Sequence, residues 1–190
     1  MFRYEIIWEK TQVSGFLNAK KMPLKVHENI LCFYKKLPTY NPVKTKIERK
    51  DIGRIRKNSG AAEQYQEFRK NDWEWKETGE RYPTDVIKFS NWNGALFGNN
   101  TKATKHPTQK PVPLCEYLIK TYTNEGETVL DNCMGSGTTG VAAINLNRNF
   151  VGMELDEKYF KIAKKRIEEA QENQNKKEEI STCNSRNNNI

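Results

Sequence analysis

Apolar positions gather toward the two ends of the chain and thin out between them. Phe2-Arg3-Tyr4-Glu5-Ile6-Ile7-Trp8 mixes alternation with β-branched and aromatic residues, the pattern of a strand. Asn29-Ile30-Leu31-Cys32-Phe33-Tyr34 is a second, more continuously apolar run, and the polar stretch between them holds Gly15, Asn18 and Pro23. Together they predict an antiparallel pair at a sheet edge, residues 1–35. The last third is the most regular. Pro111 to Thr123 reads as a helix opened by proline, with Leu114, Leu118 and Tyr122 at helical spacing. Thr128-Val129-Leu130 predicts a short buried strand, Thr138 to Leu146 a helix of small residues, and Phe150-Val151-Gly152-Met153 the next strand. Asp156 then caps a helix whose Tyr159, Ile162, Ala163, Ile167 and Ala170 line one face. From residue 171 the chain turns to Asn, Gln, Lys and Glu, which cannot bury a core and predict a disordered polar tail over 171–190.

The middle, residues 36–105, has a different character. Prolines and glycines punctuate it and charges cluster. Lys44, Lys46, Arg49, Lys50, Arg54, Arg56 and Lys57 face only Glu48 and Asp51 within that run, a local net charge of about +5. Trp73, Trp75, Tyr82 and Trp92 follow. A solvated insert with a few aromatics packed on the core would look similar. Cations interleaved with aromatics favour a nucleic-acid surface.

Composition narrows the classes. The hydrophobic fraction of the 190 residues is 36% and the mean hydropathy −0.89, so the core is modest. No run approaches the roughly 20 apolar residues of a membrane span. Charged residues interrupt Met1 to Lys10, unlike a signal peptide. A net charge of +8 favours a polyanionic partner. Cys32, Cys115, Cys133 and Cys183 stand far apart, and His27 and His106 are the only histidines. That spacing argues against a disulfide framework or a metal site and predicts a reducing cytoplasm.

Two features carry chemistry. Asp131-Asn132-Cys133-Met134-Gly135-Ser136-Gly137-Thr138-Thr139-Gly140 is a glycine turn between a strand and a helix, where backbone can approach a ligand closely. Glu154, at the end of the following strand, can accept hydrogen bonds from both ribose hydroxyls of an adenosine. The two predict a β–α–β unit built for a nucleoside cofactor. Gly135, Gly137 and Gly140 also satisfy the dinucleotide fingerprint, so an NAD-dependent oxidoreductase competes on these residues. A turn that is merely tight is the remaining alternative. No lysine follows the glycines, which excludes a P-loop.

His106-Pro107-Thr108-Gln109-Lys110-Pro111 lies upstream of the glycine turn. In this signature, followed by Asp131 to Thr139, the chain resembles the DNA amino-methyltransferases, which methylate adenine N6 or cytosine N4, in their beta order of motifs. The resemblance continues through Asn149 to Glu154, through the helix with Ala163 and Arg166, and at Lys25-Val26-His27-Glu28-Asn29-Ile30-Leu31, covering roughly residues 1–170. It implies an α/β fold with a Rossmann-like sheet and S-adenosylmethionine (SAM) as cofactor, bound over residues 106–170. Asp131, Gly135, Gly137 and Thr138 would shape the methionine end of the pocket, Thr108 and Lys110 would hold its carboxylate, and Glu154 its ribose. Residues 36–105 would be the target-recognition region on double-stranded DNA, with the seven cations on phosphates. His106 reads as a turn residue, and His27 with Glu28 as a strand-end hydrogen-bonding pair.

One departure stands out. The family's catalytic tetrapeptide is Asp/Asn/Ser-Pro-Pro-Tyr/Phe/Trp, whose polar groups accept hydrogen bonds from the target amino group and whose ring stacks on the flipped base. It precedes the strands with which this chain opens, and no such tetrapeptide occurs here. Leu37-Pro38-Thr39-Tyr40 and Tyr82-Pro83-Thr84-Asp85 both lack the double proline. The resemblance therefore implies an incomplete sheet, no catalytic residue within the chain, and a remnant gene, an internal start, or one half of a split enzyme completed by a separate N-terminal chain. Adenine N6 is the favoured target; cytosine N4 and a noncatalytic SAM- or DNA-binding subunit stay open. The missing strands predict a sheet split in two, or a pairing foreign to the family.

Overall fold

The computed structural model describes residues 1–48, 52–57, 74–91 and 109–187. In chain order its elements are β1 (Phe2–Ser14), β2 (Lys25–Phe33), β3 (Thr45–Lys46), β4 (Ile55–Lys57), β5 (Glu74–Lys76), β6 (Glu80–Arg81), β7 (Val86–Phe89), α1 (Val112–Tyr122), β8 (Thr128–Asp131), α2 (Thr138–Asn145), β9 (Asn149–Gly152) and α3 (Glu157–Asn187). The chain divides into two compact units, Met1–Asn41 with Thr84–Ile190, and Pro42–Pro83.

In the larger unit β1 is the middle strand of three, antiparallel to β2 and parallel to β7. Strand alternation sends Tyr4, Ile6 and Trp8 to one face, joined by Ile30, Cys32 and Ile87, and α1 covers that face with Leu114, Leu118 and Tyr122. The Trp8 indole N–H donates to the Phe89 carbonyl at 2.9 Å, so the buried ring keeps no unpaired donor. The Tyr4 and Tyr122 hydroxyls meet at 2.7 Å, and burial raises the pKa of both phenols. Pro111 opens α1, where its missing N–H leaves no intrahelical bond unmade. Ile119 and Cys115 belong to a second core with Val129, Ala142, Ala143 and Phe150. Burial pushes the Cys115 thiol up to about 11. The helix thus serves two cores.

The second core belongs to a separate two-stranded sheet, β8 parallel to β9, with α2 as the crossover. Among the described residues nothing hydrogen-bonds this sheet to the first, so the expected split is present. Val129 and Phe150 pack beneath α2, whereas Leu130 and its register partner Val151 are exposed.

Two boundaries differ from the sequence reading. Val86–Phe89 lies inside the stretch read as the 36–105 insert, yet it pairs with β1 and buries Ile87. Its four residues are too short for periodicity to separate them from their polar surroundings. The tail read as disordered from residue 171 is instead the continuation of α3 to Asn187. Its Glu and Lys, good helix formers, carry the helix on without a core.

In the smaller unit, by itself, the described residues form two antiparallel ribbons, β3 with β6 and β4 with β5. Glu77 is 1% exposed and is held by both terminal nitrogens of Arg81, each at 2.7 Å, and by the Gly79 N–H at 3.0 Å. This bidentate pairing satisfies a carboxylate that would otherwise be costly to bury.

Candidate functional site

Parallel pairing brings the C-terminal ends of β8 and β9 side by side, where ligands of open α/β sheets bind. Asp131, the last residue of β8, organises the turn that follows. Its Oδ1 accepts from the Cys133 N–H at 3.1 Å and its Oδ2 from the Thr139 hydroxyl at 2.6 Å. Gly135 and Gly137 then adopt φ of 53° and 75°, left-handed values that other residues reach only with strain. Gly137 caps α2 and comes against Ala163 of α3, and Gly140 lies against Phe150 and Ile167. The first two glycines therefore bend the turn, and the third packs it.

Glu154 crosses over this turn. Its Oε2 accepts from the Gly135 N–H at 2.8 Å and its Oε1 from the Asp156 N–H at 2.9 Å. Each oxygen keeps acceptor capacity for a further donor. Asp156 caps α3 by accepting the Tyr159 N–H at 3.0 Å, as its position before the helix predicts.

Beside the turn lies a cavity of about 200 Å³, lined by Gln109, Lys110, Asp131, Gly135, Ser136 and Thr138 among others. The structure thus brings Lys110, Asp131, Gly135 and Thr138 to one place, with Glu154 one hydrogen bond away through Gly135 and Gly137 behind the turn at the helix cap. Thr108 and His106 lie outside the described residues.

Three residues named in the sequence without a site role also lie at the site. The Ser136 hydroxyl donates to Gln109 Oε1 at 3.0 Å, tying the turn to the segment before α1. Arg166, half-buried on α3, donates to the Ser136 carbonyl and to its Oγ. Burial lowers the Arg166 pKa. Glu28 is the third, and here the strand-end pairing with His27 is corrected. Alternation along β2 sends the two side chains to opposite faces, and Glu28 instead bridges Lys10 at 2.6 Å and Lys110 at 3.0 Å. Its alternation with Ile30 and Cys32 was the available signal.

Of the basic cluster, Lys44, Lys46 and Arg54 are exposed on the smaller unit. Lys44 reaches Glu80 at 3.2 Å and lies 4.8 Å from the Tyr82 ring centroid. Arg56 and Lys57 fall on β4, opposite Trp75 and Glu74. Arg49 and Lys50 lie outside the described residues, as do Trp73 and Trp92.

Comparison with known proteins meets this geometry. Residues 1–165 match the family model for N6/N4 DNA methylases, described as DNA methylase. The chain belongs to that family. Among curated relatives, the type II methyltransferase M2.DpnII of Streptococcus pneumoniae is 44% identical over 109 residues, which is 53% of this chain and 40% of that protein. The DNA adenine methyltransferase YhdJ of Escherichia coli is 43% identical over 65 residues, 34% of this chain and 22% of YhdJ. The crystal structure of the M1.HpyAVI–SAM complex superposes with a TM-score of 0.53 at 28% identity, over 88% of this chain and 62% of that one. The chain spans about two-fifths of the length of M2.DpnII. Its fold is the SAM-dependent methyltransferase α/β fold, present in part.

Proposed function

We propose that the chain is the SAM-binding and DNA-contacting part of a DNA amino-methyltransferase that acts on adenine N6, with the catalytic tetrapeptide supplied from outside these 190 residues. The observation that carries this reading is the cavity at the glycine turn, lined by Lys110 and Asp131, with the doubly anchored Glu154 one hydrogen bond away through Gly135. Charge separates the two cofactors that the glycine spacing leaves open. The pyrophosphate of NAD would meet the Asp131 carboxylate, whereas the ammonium and sulfonium of SAM suit it and the SAM carboxylate suits Lys110. The M1.HpyAVI–SAM complex supports the same choice, and YhdJ, an adenine methyltransferase, supports adenine over cytosine.

When bound, SAM supplies the electrophilic methyl group. The chain's own residues bind and orient. Lys110, with Thr108, would fix the carboxylate end. Asp131 and Thr138 would wall the methionine end, with Gly135 and Gly137 giving the turn its path. Glu154 would accept from the ribose hydroxyls while its two amide donors hold it still, so little ordering remains to be done on binding. Lys44, Lys46, Arg49, Lys50, Arg54, Arg56 and Lys57 would meet DNA phosphates, which positions the duplex without reading it.

The test is calorimetry with SAM and NAD side by side. SAM is expected to bind tighter, and Glu154→Ala to weaken it by about 1.5–3 kcal/mol, the worth of hydrogen bonds to a charged group, or roughly 10- to 150-fold. Tighter binding of NAD would overturn the reading in favour of the oxidoreductase.

A further inference from the structure

Lys10, Glu28 and Lys110 come from three separate parts of the chain, and the cofactor-site reading uses only the last. Glu28 lies opposite Trp8 in the β1–β2 register, on the covered face of the sheet. Its Oε1 takes the Lys10 ammonium at 2.6 Å and its Oε2 the Lys110 ammonium at 3.0 Å. Lys10 is 9% exposed and its ammonium lies 5.7 Å from the Trp8 ring centroid, so it is a fixed anchor. Lys110 is nearly half exposed and sits on a long flexible stem that would otherwise sweep through many positions.

We propose that Glu28 is a positioning residue that holds the Lys110 ammonium beside the cavity, where it meets the carboxylate of the cofactor's amino-acid end. Two ammonium groups share one carboxylate, so the cluster keeps a net positive charge for an incoming anion. Burial opposes ionisation of Glu28, but hydrogen bonds and attraction from the two lysines outweigh it and hold its carboxyl below the usual range. The anchor therefore stays charged at neutral pH. Removing the Glu28 charge frees Lys110 and raises the loss of freedom on binding, a change felt by ligands that carry the carboxylate and by no others.

The proposal rests on the SAM reading, and two probes keep the failures apart. SAM carries the carboxylate; 5′-methylthioadenosine keeps the adenosine and the sulfur but lacks the amino-acid end. On the 190-residue chain, Glu28→Gln is expected to weaken SAM about tenfold, the size of coupling between contacting charged groups, and to leave methylthioadenosine within about twofold. In a Lys110→Met background the same change should have no further effect on SAM. Glu28→Gln leaves Lys10 buried without its counter-charge, so the Lys10→Met/Glu28→Gln pair is measured alongside, with the same selective loss expected. Unchanged or tighter SAM binding, or equal losses for both ligands, would overturn the positioning role. A native chain that binds methylthioadenosine and SAM equally well would overturn it too, by removing Lys110 from carboxylate recognition. A chain that binds neither ligand would sink the cofactor reading itself.

Discussion

Gly137 meets two demands at once. Its φ of 75° is left-handed, and a Cβ built there would stand 2.8 Å from the Ala163 Cβ and 2.9 Å from its Cα. The conformation alone costs an L-residue about 1–2 kcal/mol, and overpacking a tight contact about 1–3 more. Gly137→Ala should therefore destabilise the chain by about 2–5 kcal/mol, a fall of several degrees or more in a thermal melt. A loss below about 1 kcal/mol would show that α3 yields at this point. The gathering of Gly137, Asp131 and Glu154 at one turn was legible because the motif couples residue type to spacing along one continuous stretch. The place of Glu28 was not, because its ion pairs join positions 10, 28 and 110, and no local pattern links them. Arg166 lay within the motif-bearing helix, but its hydrogen bonds to Ser136 need the packing of α3 on the turn.

At the scale of elements, the sequence pattern and the structure agree wherever a stretch is long or strongly periodic. The β1–β2 pair, α1, β8, α2 and β9 fall within a few residues of their expected bounds, with β1 running on to Ser14 as the largest extension. β7 escaped because a four-residue strand carries too little alternation, and α3 ran on because helix propensity without an apolar face looks like disorder in composition. The ribbons of the smaller unit bear on DNA. Lys44 already leans on Glu80 and Tyr82, which leaves part of the cluster for phosphates. If about half of the seven cations engage phosphates, log K against log salt should slope near −3 for duplex DNA. An anisotropy titration measures it, and binding without salt dependence would remove the phosphate role from this cluster.

At the scale of the whole molecule the split sheet bears on the activity to be expected. The sheet β2–β1–β7 and the pair β8–β9 share no hydrogen bond among the described residues, and no tetrapeptide of the catalytic form occurs in the chain. The chain alone should not methylate duplex DNA measurably: each preorganised contact that such a tetrapeptide would supply is worth about a hundredfold, and its ring would hold the extruded base. Labelled SAM with mixed-sequence duplex, with and without a segment bearing Asp-Pro-Pro-Tyr in trans, is the assay. Robust transfer by the chain alone would refute the expectation. The double duty of α1 has a kinetic consequence. Within the β1–β2 pair and the β8–α2–β9 unit the partners are near in sequence, 24 positions apart between Glu5 and Asn29 and 19 between Gly135 and Glu154. Tyr4 and Tyr122, which join the first sheet to α1, are 118 apart. Closing that longer loop costs about 1.5 kcal/mol more in chain entropy, at about 0.6 for each doubling of length. The β1–β2 pair and the β8–α2–β9 unit can thus assemble early on short-range contacts, while β7, 81 positions from its partner at the Trp8–Phe89 bond, and the helix that joins the two cores wait for longer loops to close.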